Sequence, residues 1–187
     1  MGYTTYFEGQ IKVDPPLNQD EINYLKKFHD TRRMDRKNGP YFVDGTGYMG
    51  QNHDSDVINS NKPPEGQPSL WCQWIPTDDG TAIEWDEGEK FYNSVDWMQY
   101  FIDHFIGSTP IAPTKENTLE FLKPHTLNGL IEAQGEDDED QWVLLVENNN
   151  VFEFTPEEYS AYKTTKFKNK IDELLPLKDK EGNLTKI

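Results

Sequence analysis

The chain has 187 residues and a net charge of −16 at pH 7, from 34 acids against 18 Lys and Arg, so it repels nucleic acid and anionic lipid and attracts basic proteins or metal cations. Hydrophobic residues make up only 34%, but 13% aromatics with five Trp are enough for a packed core, and the length fits one domain better than two. The single cysteine, Cys72, excludes an intrachain disulfide and a cysteine-based zinc site, and no apolar run approaches the ~18 residues of a membrane span, so a soluble, cytoplasmic protein is expected.

Thr4 to Val13 alternates, with Phe7, Gly9, Ile11 and Val13 on one side, which predicts a half-buried strand ended by Pro15 and Pro16. Asn18 with Glu21 three residues later is a capping-box start, and Ile22, Leu25 and Phe28 carry a helix to about Met34. Residues 35–68 are rich in Gly, Pro and Asn and predict a long irregular loop with a short strand at Tyr41–Val43.

Ser69–Ile75 is bulky on both faces and predicts a central strand, which Asp79-Gly80 turns back into Thr81–Trp85. Asn93 or Ser94 can cap the next helix, whose Val95, Met98, Ile102, Phe105 and Ile106 form one stripe. Leu127–Gln134 and Gln141–Glu147 predict two strands around an acidic hairpin, with a short strand at Val151–Phe154. Thr155-Pro-Glu-Glu158 starts a terminal helix, and the basic end from Lys178 is expected to fray. The series strand, helix, strand, strand, helix, strand predicts an α+β fold over residues 1–154: a ferredoxin-like antiparallel sheet with two helices on one face and a long 35–68 loop. Residues 155–187 are read as an added C-terminal helix and basic tail.

The charge is unevenly placed. Residues 76–106 carry eight acids against Lys90, and residues 131–158 carry ten with no Lys or Arg, so these two segments hold the whole negative excess. Asp86, Glu87 and Glu89 in the first and Glu136, Asp137, Asp138, Glu139 and Asp140 in the second are the candidate partner-binding acids. Neither group follows EF-hand spacing, which argues against a dedicated calcium loop. The basic residues Arg32, Arg33 and Arg36 are the candidate anion-binding set, at a helix end opening into the long loop; the alternative is that they pair with the chain's own acids.

Gly45-Thr-Gly47-Tyr-Met-Gly50 matches a dinucleotide fingerprint by letter, but a turn-like acidic stretch follows where the phosphate needs a helix start. His29, His53, His104 and His125 fall into no metal-ligand pattern, and His104 beside Asp103 reads as a surface or dipole-compensating residue. Cys72 reads as a small core residue. No catalytic residue, cofactor signature or metal site is assigned.

Several stretches resemble a group of small acidic proteins encoded by bacteriophages and by actinobacteria. They are Tyr6-Phe-Glu-Gly9 with Pro15-Pro-Leu17, Thr31-Arg-Arg-Met34, Pro68-Ser-Leu-Trp71 with Gln73-Trp74, Ile83-Glu-Trp-Asp86 with Gly88-Glu-Lys-Phe-Tyr92, and Leu127-Asn-Gly129 with Gln134-Gly-Glu-Asp137. The resemblance covers about residues 3–151 and carries no activity over, so it assigns no residue a role. It implies a phage or accessory-gene setting, in which small acidic proteins without enzymatic motifs act by occluding a host protein.

The leading expectation is therefore a non-enzymatic inhibitor, of anti-defence or nucleic-acid-mimic type, that fills the basic groove of a host protein, itself a nucleic-acid binder. It would contact neither nucleic acid nor membrane directly, and the sequence sets no oligomeric state. One alternative is a module that sequesters a nucleotide or other anion through the arginines; another is a metal-dependent hydrolase using the acidic strand ends.

Overall fold

A computed structural model describes residues 2–44 and 54–174, so the Gly45–Gly50 motif, His53 and the basic tail from Lys178 lie outside the described residues. The chain divides into two compact units, Met1–Glu153 and Phe154–Ile187. It is a mixed α+β protein. Among the described residues no helix is long and apolar enough to cross a membrane.

In the first unit, β1 (Tyr6–Asp14) leads into α1 (Gln19–Asp30), then come β2 (Asp35–Arg36), β3 (Val57–Asn59), β4 (Trp74–Pro76) and β5 (Ala82–Trp85). Next are α2 (Ser94–Phe101), α3 (Ala112–Lys115), β6 (Thr126–Gln134), β7 (Gln141–Glu147) and β8 (Asn150–Phe154). Six strands form one antiparallel sheet in the order β4-β5-β1-β6-β7-β8, and β2 and β3 form a separate pair. The β1–β6 register, from Tyr6 opposite Gln134 to Asp14 opposite Thr126, puts Phe7, Ile11 and Val13 on the same face as Ala133, Gly129 and Leu127. That face is apolar, and its Ile11, Val13, Ile83, Leu127, Ile131, Leu144 and Val146 join Leu25 and Phe28 of α1 and Trp97, Met98 and Phe101 of α2 in one core. Glu8, Gln10, Lys12, Asn128 and Glu132 alternate onto the opposite, wetter side.

Local chemistry explains the element starts. Asn18 Oδ1 accepts from the backbone N–H groups of Asp20 and Glu21 at 3.0 Å, and Glu21 Oε2 accepts from Asn18 N–H at 2.7 Å, a complete capping box. At the β4–β5 turn, Gly80 takes φ +70, and Asp79 Oδ1 accepts from the Thr81 N–H and from both the Thr77 and Thr81 hydroxyls. Gly9 has φ +121, and a Cβ there would lie 2.3 Å from the Leu130 carbonyl oxygen, so only glycine allows β1 to approach β6 this closely.

In the second unit, α4 (Pro156–Leu174) starts on a capping box. Thr155 Oγ1 accepts from Glu158 N–H at 3.2 Å while Glu158 Oε2 accepts from Thr155 N–H at 2.9 Å. Phe154 stacks on Tyr159 and Tyr162, and Lys163 lies 4.4 Å over the Tyr159 ring.

Five local expectations are corrected. Residues 69–73 are not strand, and β4 covers only Trp74–Pro76 at the sheet edge. Of these residues only Cys72 is buried, and the segment is tied to the stretch after α1, where the Arg33 N–H, not a neighbouring strand, donates to the Leu70 carbonyl at 2.9 Å. Tyr41–Val43 is not strand either, because Tyr24 Oη and Arg33 take the carbonyls of Tyr41 and Phe42 that a ladder would need. Asn93 precedes α2 in the left-handed region, φ 59, and its side chain donates to the Pro68 carbonyl rather than capping the helix. Finally, α2 runs on as a π-helix through Ile102–Ile106, and α1 stops at Asp30, short of Met34.

Candidate functional site

The β-sheet registers decide where the acids go. Ile11 lies opposite Ile83 and Lys12 opposite Ala82, so β5 runs toward the start of β1 and delivers Glu84–Glu89 there. Tyr6 pairs with Gln134, and Gln134 with Gln141, so the hairpin holding Glu136–Asp140 opens at the same end. β5 and β6 flank β1, which sets the two about 10 Å apart at ~4.8 Å per strand.

Side chains join the two acidic segments. Phe7 packs edge-on against Trp85, just before Asp86, at 5.4 Å and against Trp142, just after Gln141, at 5.6 Å. Thr4 N–H donates to Glu136 Oε1 at 2.8 Å and Tyr3 Oη donates to Asp140 Oδ2 at 2.5 Å. That bond to a carboxylate is the main cause raising the Tyr3 phenol above its ordinary pKa. A Cβ on neighbouring Gly2 would meet Lys90 Cε at 2.3 Å, so residues 2–4 span from the first acidic segment to the second. Glu87, Glu89, Glu136, Asp137, Asp138 and Glu139 are exposed, while Asp86 and Asp140 are half-buried.

Beside this acidic end lies a groove of about 910 Å³. One wall is the end of α1 with His29 and Asp30; a second is Pro68–Gln73 together with Pro63; the third is Asp86, Glu89, Lys90 and Tyr92. The walls are tied to one another. Gln73 accepts from Trp85 Nε1 at 3.1 Å and donates to the Glu89 carbonyl at 2.9 Å, and Trp97 Nε1 donates to Ser69 Oγ at 2.8 Å. Cys72 is 1% exposed at the groove floor, and burial pushes its thiol pKa well up, so it stays a neutral, poor nucleophile.

His29 latches the first and third walls. Its Nε2 lies 2.6 Å from Asp86 Oδ2 and its Nδ1 3.0 Å from Asp30 Oδ1. Two carboxylates facing both ring nitrogens are satisfied only by a doubly protonated imidazolium. Burial opposes that charge, but the bonds to Asp86 and Asp30 outweigh it and hold the His29 pKa above its ordinary value. Asp86 Oδ1 in turn accepts from Gly88 N–H at 2.8 Å. The segment these contacts hold contains three non-glycine residues in the left-handed region, Glu87 at φ 63, Lys90 at φ 63 and Asn93 at φ 59. Such positions cost roughly 1–3 kcal/mol each and concentrate at binding and catalytic sites.

The arginines are placed differently. Arg33 is 2% exposed, donates to the carbonyls of Phe42 and Pro40 at 2.9 and 2.7 Å, and lies 4.0 Å over the Phe28 ring. Burial pushes its pKa down to about 10, which leaves it charged at neutral pH. Arg36 Nη1 contacts Asp54 and Asp56 at 3.1 and 3.0 Å, Arg32 Nη2 donates to Asn61 Oδ1 at 3.4 Å, and Lys26 and Lys27 pair with Asp78 and Asp44. Arg33 and Arg36 thus hold the described ends of that loop, at residues 40–42, 54–56 and 67, and the three arginines do not converge on the groove.

His104, expected at the surface, is half-buried, stacked 3.9 Å from Tyr100 and bonded to Tyr41 Oη at 2.8 Å; burial, partly offset by Asp103, lowers its pKa. Among the described residues, no group of three or more His, Cys, Asp or Glu is placed to hold a metal ion. Sequence reasoning did not assemble His29, Asp30, Leu70, Trp71 and Tyr92 into one site, and the only local signal was a histidine beside an acid at a helix end.

Comparison of the chain with protein-family models, with curated proteins and with solved structures gives no match.

Proposed function

We propose that the protein is a non-enzymatic binding protein that docks a basic partner on the acidic end of its sheet. The observation that carries this reading is the delivery of Glu84–Glu89 and Glu136–Asp140 to one end of the sheet, joined through residues 2–4. In the bacteriophage or accessory-gene setting that the sequence resemblance implies, the partner is a host protein with a nucleic-acid-binding groove, and occupying that groove inhibits it. Clustered charge of this kind raises association rate and specificity more than affinity.

The test uses the variant Glu87→Gln, Glu89→Gln, Asp137→Asn, Asp138→Asn, whose four sites are exposed. Proteins captured from a bacterial lysate by the native chain should be lost on the variant. Their association rate should fall about tenfold or more, with a steep salt dependence, and the captured protein should release DNA when the native chain is added. Equal capture by both forms would sink the proposal.

For the body of the first unit we favour a ferredoxin-like reading with β7 and β8 added at one edge. It is supported by the neighbour order β6-β1-β5-β4 around central β1, by antiparallel pairing throughout, and by the packing of α1 on α2.

A further inference from the structure

We infer that the groove beside the acidic end receives an apolar anchor residue from a basic, extended peptide segment of the partner. The inference rests on the reading of the acidic end as a protein-docking surface. The groove joins two properties that a protein interface needs and an ordinary surface lacks. Its interior is mainly apolar, built from Pro63, Pro68, Leu70, Trp71 and Tyr92, and its rim carries Asp30, Asp86 and Glu89, with Glu87 next to them, against Lys90 and the His29 imidazolium. An apolar centre with a charged border is the anatomy of a binding hot spot, and the border is complementary to Lys and Arg flanking the anchor.

Size and rigidity support the same occupant. About 910 Å³ lies at the upper end for small-molecule pockets and admits an aromatic side chain with its neighbours. Tyr92 stands 53% exposed at the groove, a large apolar surface that the folded chain leaves uncovered. The His29–Asp86 pair and the Gln73 amide fix the wall before any partner arrives, which lowers the ordering cost of binding.

The experiment is a fluorescence-anisotropy titration of the full chain with two labelled basic peptides of equal charge, one with a central tryptophan and one with glycine in its place. The tryptophan peptide should bind about tenfold tighter or more, as expected for a buried aromatic anchor. Tyr92→Ala and Trp71→Ala should each remove most of that difference while leaving the glycine peptide's weak, salt-sensitive binding intact. Tyr92→Ala removes an exposed side chain, so it tests the groove without testing the core.

Equal binding of the two peptides would overturn the groove assignment and leave the acidic docking surface standing. No binding of either peptide at low salt would overturn both. If an uncharged tryptophan peptide or free indole bound as tightly as the basic peptide, the groove would be a small-molecule pocket and the inference would be wrong.

Discussion

Replacing His125 by alanine is expected to destabilise the protein by about 3–5 kcal/mol, the usual result of removing one member of a buried ion pair. His125 and Glu21 have side chains 2% and 1% exposed, with Nε2 and Oε1 3.0 Å apart. The other ring nitrogen, Nδ1, lies 2.7 Å from the Pro15 carbonyl, which can only accept, so the ring holds both protons. Alanine would leave Glu21 charged and buried, with only the backbone N–H groups of Asn18 and Lys123 as donors.

The pH dependence follows from the two shifts. Burial works against the charge on His125, but its bonds to Glu21 and the Pro15 carbonyl raise its pKa above 6.5. Its contribution is therefore complete below about pH 6.5 and is lost as pH rises through the raised value. Burial likewise opposes ionised Glu21, but bonds from His125, Asn18 and Lys123 lower its pKa below 4.5. Its contribution is present above about pH 4.5 and is lost as pH falls through the lowered value. The pair is worth most between those limits, and His29, raised in the same direction, adds to the loss on the alkaline side. Urea denaturation should show the native midpoint falling from pH 6 to pH 9, with a flatter profile in His125→Ala. A cost under about 1 kcal/mol, or a native midpoint flat across that range, would refute this account.

Phe28→Ala is the second large effect, also about 3–5 kcal/mol. Phe28 is 0% exposed and packs on Phe105 at 4.7 Å, Phe101 at 5.9 Å and Trp97 at 6.1 Å, so it joins α1 to α2 and its π-helical continuation. The same ring supports the buried Arg33 guanidinium, a contact worth about 2 kcal/mol when desolvated. Phe28→Leu retains most of the apolar volume and removes the ring, so the difference between the two variants measures the cavity left by alanine, and the loss in Phe28→Leu itself contains the ring contacts with Arg33 and the neighbouring aromatics. With domain stabilities of roughly 5–15 kcal/mol, Phe28→Ala should lower the melting temperature steeply. If calorimetry finds Phe28→Ala and Phe28→Leu alike and near native, the inter-helix core is misassigned.

Much of the fold was legible from short-range chemistry. The alternation around Ile11, the Asn18–Glu21 box, the Asp79-Gly80 turn and the Thr155–Glu158 start each involve residues within a few positions, where propensity and local hydrogen bonds decide the outcome. The edge position of β4 was not legible, because bulk on both faces does not distinguish a central strand from a half-buried connection, and residues 69–73 are held by the stretch after α1 rather than by neighbouring strands.

The site divides the same way. The sequence alone determined the amount of negative charge, its concentration in two segments, and the scarcity of catalytic patterns. Strand register and helix packing bring Asp86 and Asp140 to one end of one sheet, bury Arg33 and Arg36 inside the fold, and set His29 between two carboxylates in the wall of a groove. The reason is separation along the chain: His29 meets Asp86 across 57 positions and His125 meets Glu21 across 104, and contacts at that distance are set by strand register and helix packing, which no local pattern encodes.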